Sequence, residues 1–512
     1  MYLHQVWLAD DATGAGSLDQ LKQWWDCVST EGSRYGYHVK PTKSWLILKD
    51  PQKLQAAELL FQNSQIKITT SGKRHLGASL GTDEFRTIYM TEKVAEWCGK
   101  MNRLTEIAKL QPHAAYAAYI HAEQHRYTYF LRTIDGIKDM LKPLDDIISN
   151  KFIPALFGSN ITGDEREILS LPIKDGGLGL RIWHDEAEES YRASKYITNP
   201  LQRQIISQIA DLPNNDDVLK TKSEGITTKR TSRQNKTKDT TEKQNPTVKR
   251  NLEQLSSSGA SSWLGAYPLK EQGFNLNKNE FQDALNLRYD KPLKNMPSKC
   301  ACDKKFDVTH AMNCGRGGFI IARHDQVRNF EANLLRQVCN DVEVEPPLQS
   351  VNGFTFHPSA NTREDARLDV RAKGFWRRGQ NAFFDVRITN LDNNSQRERT
   401  IDAALKSHEN EKKRLYNKRV MEIEHGTFTP IVLSIKGVMG KECQIYHKAL
   451  AEKLSMKSGD SYEEVTRLIR IKLSFIVLKA ALLCVRGSRP SNSATLSRCD
   501  DFSYNLNEIM LG

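Results

Sequence analysis

Two aspartates stand in matching surroundings in the last third of the chain. Ala366-Arg367-Leu368-Asp369-Val370-Arg371 is followed, after a Gly- and Arg-rich stretch, by Ala382-Phe383-Phe384-Asp385-Val386-Arg387-Ile388. Read as β-strands with a period of two, the first run puts Leu368 and Val370 on one face and Asp369 on the other. The second puts Phe384, Val386 and Ile388 together, with Asp385 and Arg387 opposite. Carboxylates on neighbouring strands can hold one or two Mg2+ or Mn2+ ions against a phosphodiester, the arrangement used for metal-assisted hydrolysis. Arg387 keeps its proton at any working pH, so beside such a site it can only neutralise charge. The intervening Lys373–Gln380 turns the chain back and, through Arg377 and Arg378, offers a basic tip to a nucleic-acid backbone.

Other residues have spacings that suit chemistry. Residues 400–424 read as a helix on which Lys412 and Tyr416, four apart, share a face, with Lys413 beside them. Taken alone, such a lysine-rich helix is a solvated charged face. Cys300-x-Cys302, then His310, then Cys314 supplies three thiolates and one imidazole, a complete tetrahedral set for structural Zn2+. His310 and Cys314 are four apart and share one side of a helical turn. Arg323-His324-Asp325 comes next and opens a helix over about 324–340 that also carries Glu331. Arg323 and His324 are expected to touch nucleic acid, and Glu331 to face the metal. At the N-terminus, Asp10 and Asp11 lie between the apolar Val6-Trp7-Leu8 and a Gly-rich Ala12–Gly16. Adjacent carboxylates at a hairpin tip can place divalent cations against a phosphate, although turns favour Asp in any case.

The elements that must position these groups fall into two sets. Short strands are expected at 2–8 and 44–49, then helices from Glu84 to about Asn150, with Pro112 and Pro143 at helix starts. The C-terminal part mixes strands at Leu368–Ala372, Ala382–Thr389 and Pro430–Ile435 with helices at about 324–340, 400–424 and 461–485, an α/β or α+β pattern. Between them, no aromatic residue occurs from Ile197 to Ser262, and from Lys220 to Arg250 the only aliphatic side chains larger than Ala are Ile226 and Val248. So little apolar surface predicts a disordered basic linker. The 512 residues allow two or three domains, and the net charge of +12 favours a polyanionic partner. Nine cysteines, six of them scattered, do not look like a disulfide framework and suit a reducing compartment. The N-terminus lacks a secretory signal, and the apolar run Ser474–Val485 is too short, with Lys479 inside it, to span a bilayer.

Taken in order, these features resemble the polyprotein of non-LTR-type retrotransposons. Asp10-Asp11, the Lys43-bearing Tyr35–Leu46 loop and His75-Leu76-Gly77-Ala78-Ser79-Leu80-Gly81 look like the end of a reverse-transcriptase palm, with Leu8 where an aromatic is usual. Leu171–Leu180 looks like a segment common after the thumb in these elements. By that resemblance Asp10 and Asp11 match the metal-binding pair, incomplete here because the other palm aspartate and the fingers would lie upstream of Met1. Lys43 matches the lysine near the nucleotide phosphates. The cysteine cluster with Arg323-His324-Asp325 behind it resembles the CCHC zinc knuckle ahead of a restriction-like endonuclease. Asp369 and Asp385 look like a PD-(D/E)-x-K core with Leu368 in place of Pro and Arg387 in place of Lys. In retrotransposon nucleases of this kind the lysine moves to the next helix in a Lys-x-x-(x)-Tyr pattern, which makes Lys412 the first candidate, Lys413 the second, and Tyr416 its companion.

The implied fold is α+β and multidomain. It comprises a palm end at 1–83, a helical thumb or connection at 84–200, a linker at 201–262, a helical segment with the knuckle at 263–322, the nuclease at 323–490 and a tail at 491–512. The implied activity is Mg2+-dependent cleavage of DNA in the nucleus, with DNA and element RNA as partners, no membrane association, and a reverse-transcriptase portion inactive alone. A catalytically inactive nucleic-acid-binding remnant and a host nuclease domesticated from a retroelement are the alternatives.

Overall fold

A computed structural model describes residues 3–8, 11–208, 215–351, 353 and 355–489. The chain is a mixed α+β protein. It divides into two compact units, one drawn from Met1–Glu106, Ala118–Ile153 and Arg181–Thr240, the other from Ile107–Ala117, Pro154–Leu180 and Thr241–Gly512.

The first unit begins with paired strands β1 (His4–Leu8) and β2 (Asp11–Ala15), antiparallel with Leu8 opposite Asp11. A Ser17/Gln20 capping box starts the helix Leu18–Glu31. β3 (Trp45–Ile47) pairs in parallel with β4 (Lys67–Thr69), and the helix Leu54–Phe61 makes the crossover. β5 (Gly72–His75) and β6 (Ala78–Gly81) form a hairpin whose loop residues, Leu76 at φ 46° and Gly77 at φ 87°, both take the left-handed conformation that a two-residue turn with the twist of a β-ribbon requires. Two tyrosines pin that tip from the helical part: Tyr89 Oη donates to Gly77 O at 2.7 Å, and Tyr129 Oη donates to Leu76 O.

The expected helical stretch is present, with helix starts at Pro112 and Lys142. The helix Trp183–Ser207 has no polar side chain at its own N-cap; instead the carboxylate of Asp145 accepts from Trp183 N and His184 N, each at 2.9 Å.

The expected disordered linker is mostly helical. Asn215–Glu242 forms one helix and Pro246–Ser256 another, and residues 209–214 lie outside the described set. A helix satisfies its backbone internally, so it does not need a core of its own when a neighbour supplies one. Asn215–Glu242 leans on Trp183–Ser207: Gly225 leaves room for Ile197, Tyr196 Oη donates to Glu224 Oε2 at 2.6 Å, and Lys229 Nζ donates to Ser190 Oγ at 3.3 Å.

In the second unit a four-stranded sheet runs in the order β10-β9-β8-β7, comprising β7 (Val342–Val344), β8 (Val370–Lys373), β9 (Asn381–Thr389) and β10 (Thr427–Ser434). β7, β8 and β9 are antiparallel in turn, whereas β10 lies parallel to β9 and needs a crossover. That crossover contains the helix Ile401–Glu422, hereafter the lysine helix. It covers one face of the sheet through Phe383, Val420, Phe428 and Val432. Phe384, Val386, Ile431 and Leu433 point the other way. They pack with Phe319–Val338 (the histidine helix), Lys441–Ser458 and the long helix Tyr462–Arg486. No helix among the described residues is long and apolar enough to cross a membrane.

The segment Leu171–Leu180 is folded inward rather than left as a surface loop. Buried Arg288 donates to Gly176 O at 3.1 Å and to Gly177 O at 3.3 Å, and Tyr116 Oη donates to Leu178 O at 2.9 Å. A second buried guanidinium, Arg419 on the lysine helix, secures the chain that leads into β8. It donates to Asn361 O and Arg363 O at 2.9 Å each and to Gln349 O at 2.7 Å. Arg419→Met leaves those carbonyls without donors, so chemical denaturation should show a loss of about 2–4 kcal/mol. An unchanged midpoint would show that the segment is held without it.

Candidate active site and metal centre

β8 begins at Val370, so Asp369 sits at a bend just before the strand. This corrects the alternation expected for the first run. Leu368 packs with Phe383 and Val420 on the lysine-helix side, while Val370 enters the opposite cluster, because the bend breaks the period of two. In β9 the expectation holds: Phe384, Val386 and Ile388 share one side, and Asp385 and Arg387 turn toward the lysine helix.

Val370 pairs with Phe384, which brings Asp369 opposite Asp385. Asp369 Oδ2 accepts from Val386 N at 2.6 Å and lies 3.1 Å from His324 Nε2. Asp385 Oδ2 lies 2.6 Å from Lys412 Nζ, with the side chains 7% and 18% exposed. Burial pushes Asp385 up to about 6, helped by the negative charge of Asp369, even though Lys412 and His324 pull it down. Burial opposes the imidazolium of His324, but the carboxylates of Asp369 and Asp325 outweigh it and hold its pKa above the ordinary value. Four titratable groups, from the bend before β8, the middle of β9 and two helices, therefore act on one another.

The two lysine candidates are separated by geometry. Neighbours on a helix point about 100° apart, and Lys413 goes instead to Glu442 at 2.6 Å. Arg387 pairs with Glu411 at 2.8 Å. Tyr416 places its ring 5.9 Å from Lys412 Nζ and accepts from Asn361 Nδ2 at 3.1 Å.

Two expectations fail. Glu331 does not face the carboxylate pair; it is fully buried on the other side of the sheet, 3.0 Å from His447 Nε2 and accepting from Tyr446 Oη at 3.1 Å. Arg323 is buried against Met312, in line with Val327 and Phe330 on the inward side of its helix, so it offers nothing to a backbone. Arg377 and Arg378 are exposed in the turn of the β8–β9 hairpin, roughly 13 Å along the strands from Asp385 by strand rise, so they form a basic tip separate from the carboxylate pair. His324, expected only as a nucleic-acid contact, proves to be hydrogen-bonded to Asp369. Its place at the opening of a helix that packs on the sheet was the available signal.

Cys300, Cys302, His310 and Cys314 bring their ligand atoms within 4.8 Å of one another. Cys300 Sγ–Cys314 Sγ is 3.7 Å, Cys302 Sγ–Cys314 Sγ 3.9 Å and Cys302 Sγ–His310 Nε2 3.3 Å. Zn–S bonds in a tetrahedron imply sulfur–sulfur edges of about 3.8 Å, so this Cys3His group could hold a metal such as zinc. Local structure sets it up. Cys300 N donates to Lys304 O at 2.9 Å across a tight turn in which Asp303 takes φ 64°. Asp307 caps the short helix Val308–Asn313 through His310 N at 2.8 Å. The backbone N–H of Lys304 lowers the thiol of Cys302, whereas burial raises that of Cys300. Among the described residues this is the one group of three or more such side chains tight enough to hold an ion.

In the first unit, Asp10 lies outside the described residues. Asp11 is exposed at the start of β2, and Lys43 is exposed in the turn Pro41–Lys43.

No protein-family model matches the chain, and a search of curated proteins finds no match.

The purified chain should carry about one zinc per molecule by elemental analysis, and Cys314→Ser should abolish it and lower the thermal midpoint. Full metal content in that variant would remove the tetrahedral assignment. A pH series tests the carboxylate. With Asp385 raised from 3.8 to about 6, the folded chain retains a proton that the unfolded chain releases. Its contribution to stability is complete below 3.8 and is lost as pH rises through about 6. The difference in thermal midpoint between wild type and Asp385→Asn should therefore change across that window; a flat difference would contradict the burial of this charge.

Proposed function

We propose that residues 323–490, in the second unit, are a metal-dependent DNA endonuclease centred on Asp369, Asp385 and Lys412. In this reading residues 1–83, in the first unit, are kin to the end of a reverse-transcriptase palm in a retroelement-derived protein. The observation that carries this reading is the ion pair between Lys412 and Asp385, 2.6 Å long, with Asp369 opposite on the neighbouring strand end. Nothing about a merely solvated lysine face requires its ammonium to enter a sheet beside two carboxylates.

The chemistry rests on the donor types. Asp369 and Asp385 offer hard oxygen ligands suited to Mg2+ or Mn2+. A bound cation of this kind would supply charge neutralisation at a scissile phosphate. Lys412, held by Asp385, directs a positive charge to where negative charge grows on the phosphoryl oxygens. His324 and Val386 N fix the Asp369 carboxylate in orientation before substrate arrives. The Cys3His group acts as a structural zinc knuckle, and the excess of positive charge favours DNA and element RNA as partners in the nucleus.

Supercoiled plasmid with Mg2+ tests this reading. The wild-type chain should nick it, and Asp385→Ala and Lys412→Ala should each slow nicking by about 100-fold or more. Equal nicking by wild type and Asp385→Ala removes the site assignment. No nicking by the wild type favours the inactive nucleic-acid-binding alternative.

A further inference from the structure

The second unit contains a cavity of about 860 Å³ between the histidine helix, the long helix and the helix Lys278–Arg288. Its size falls in the range of about 300–1,000 Å³ typical of small-ligand sites. Two of its polar groups lack partners. Asn286 is 4% exposed; its Nδ2 donates to Phe157 O at 3.3 Å, but its Oδ1 is buried with no donor. Lys472 is half-buried and has no hydrogen-bond or ion-pair partner among the described residues. Burial alone lowers its ammonium to about 8. The other charges are engaged: Arg486 clasps Asp283 at 2.6 and 2.7 Å, and Lys479 donates to Gly273 O at 2.7 Å.

A buried acceptor without a donor is costly in a folded protein, and a half-buried cation without an anion adds to that cost. They describe a ligand that brings both an N–H and a negative charge. Phe274, Phe330 and Phe475 add an apolar wall. We propose that this cavity receives one unstacked nucleotide, with its phosphate on Lys472, its base along the phenylalanine wall and a base N–H on Asn286 Oδ1. All four bases carry an N–H on their pairing edge, so the site accepts any of them. The lining supports an anion overall, with Lys294, Lys472, Lys479 and Arg486 against Glu280 and Asp283. The proposal stands apart from the nuclease reading, because none of these groups belongs to the Asp369–Asp385–Lys412 cluster.

Calorimetric titration of the full-length chain, without added divalent metal, tests it. The probes are the four deoxynucleoside monophosphates, deoxyribose 5-phosphate, and a short single-stranded oligonucleotide as competitor. The nucleotides should bind, and deoxyribose 5-phosphate should bind at least about tenfold more weakly because it lacks the base. Lys472→Met should weaken nucleotide binding at least about tenfold while raising the thermal midpoint of the free chain, since an unpaired, half-buried charge is gone. Competition by the oligonucleotide assigns the nucleotide to a strand, and failure to compete assigns it to the free pool. Absence of nucleotide binding, equal binding of deoxyribose 5-phosphate, or unchanged affinity in Lys472→Met overturns the proposal.

Discussion

Asp385 lies in the middle of β9, a strand with helices on both faces, where a lone carboxylate would lose its hydration without return. That constraint organises the second unit. The charge must be met from within reach of the strand, and the lysine helix, which returns the chain from β9 to the parallel β10, carries the group that meets it. Strand, crossover helix and ion pair are consecutive in sequence, so the connection that closes the sheet also completes the site. The pairing is left incomplete by its surroundings: Asp369 brings a second negative charge, and the carboxyl of Asp385 titrates near 6 even with an ammonium beside it.

The remaining polar groups show how selective that arrangement is. Lys413 and Glu411 flank Lys412 on the helix and Arg387 follows Asp385 by two residues, yet none of them joins the Asp385–Lys412 pair: Lys413 goes to Glu442, and Arg387 and Glu411 pair with each other. Arg387, two positions along the same strand, is engaged by Glu411, so Asp385 draws its cation from elsewhere. The helix solves this by entering from the side. Tyr416, one turn beyond Lys412, lies beside the ammonium and is held by Asn361, the same segment that Arg419 secures. Packing and chemistry thus share one helix face.

The features legible in the amino-acid order are those that depend on near neighbours in the chain. The alternation of β9, the i and i+4 relation of Lys412 and Tyr416, and the C-x-C-x7-H-x3-C spacing are local patterns, and each appears in the folded chain as expected. The orientation of Leu368 and Asp369 is not legible, because a bend carries no signature in apolar periodicity. Glu331 is ambiguous for a related reason. Its helix has both a site end and a core side, and only the partners His447 and Tyr446, over a hundred residues later, decide which it faces. The helix Asn215–Glu242 is hidden because its support comes from Trp183–Ser207, not from its own composition. Apolar content measures whether a segment can build a core, not whether it can lean on one.

The cysteine group and the carboxylate cluster are joined by more than sequence order. Cys314 ends the helix that His310 belongs to, and the histidine helix begins at Phe319. Arg323, one residue before His324, is buried against Met312, which lies between the two metal-type ligands His310 and Cys314. Arg489, beyond the long helix, stacks over Phe306 and Phe319 at 4.9 and 4.8 Å, and Cys484 reaches Phe319 O at 3.8 Å. The start of the histidine helix is therefore clamped from two directions, by the cysteine turn and by the end of the long helix. His324 sits one turn beyond that clamp and hydrogen-bonds Asp369. Loosening the cysteine group would free the first turn of the helix and with it the imidazole that orients one of the two carboxylates, so integrity of the metal-type site and geometry of the acidic site are coupled through rigid packing.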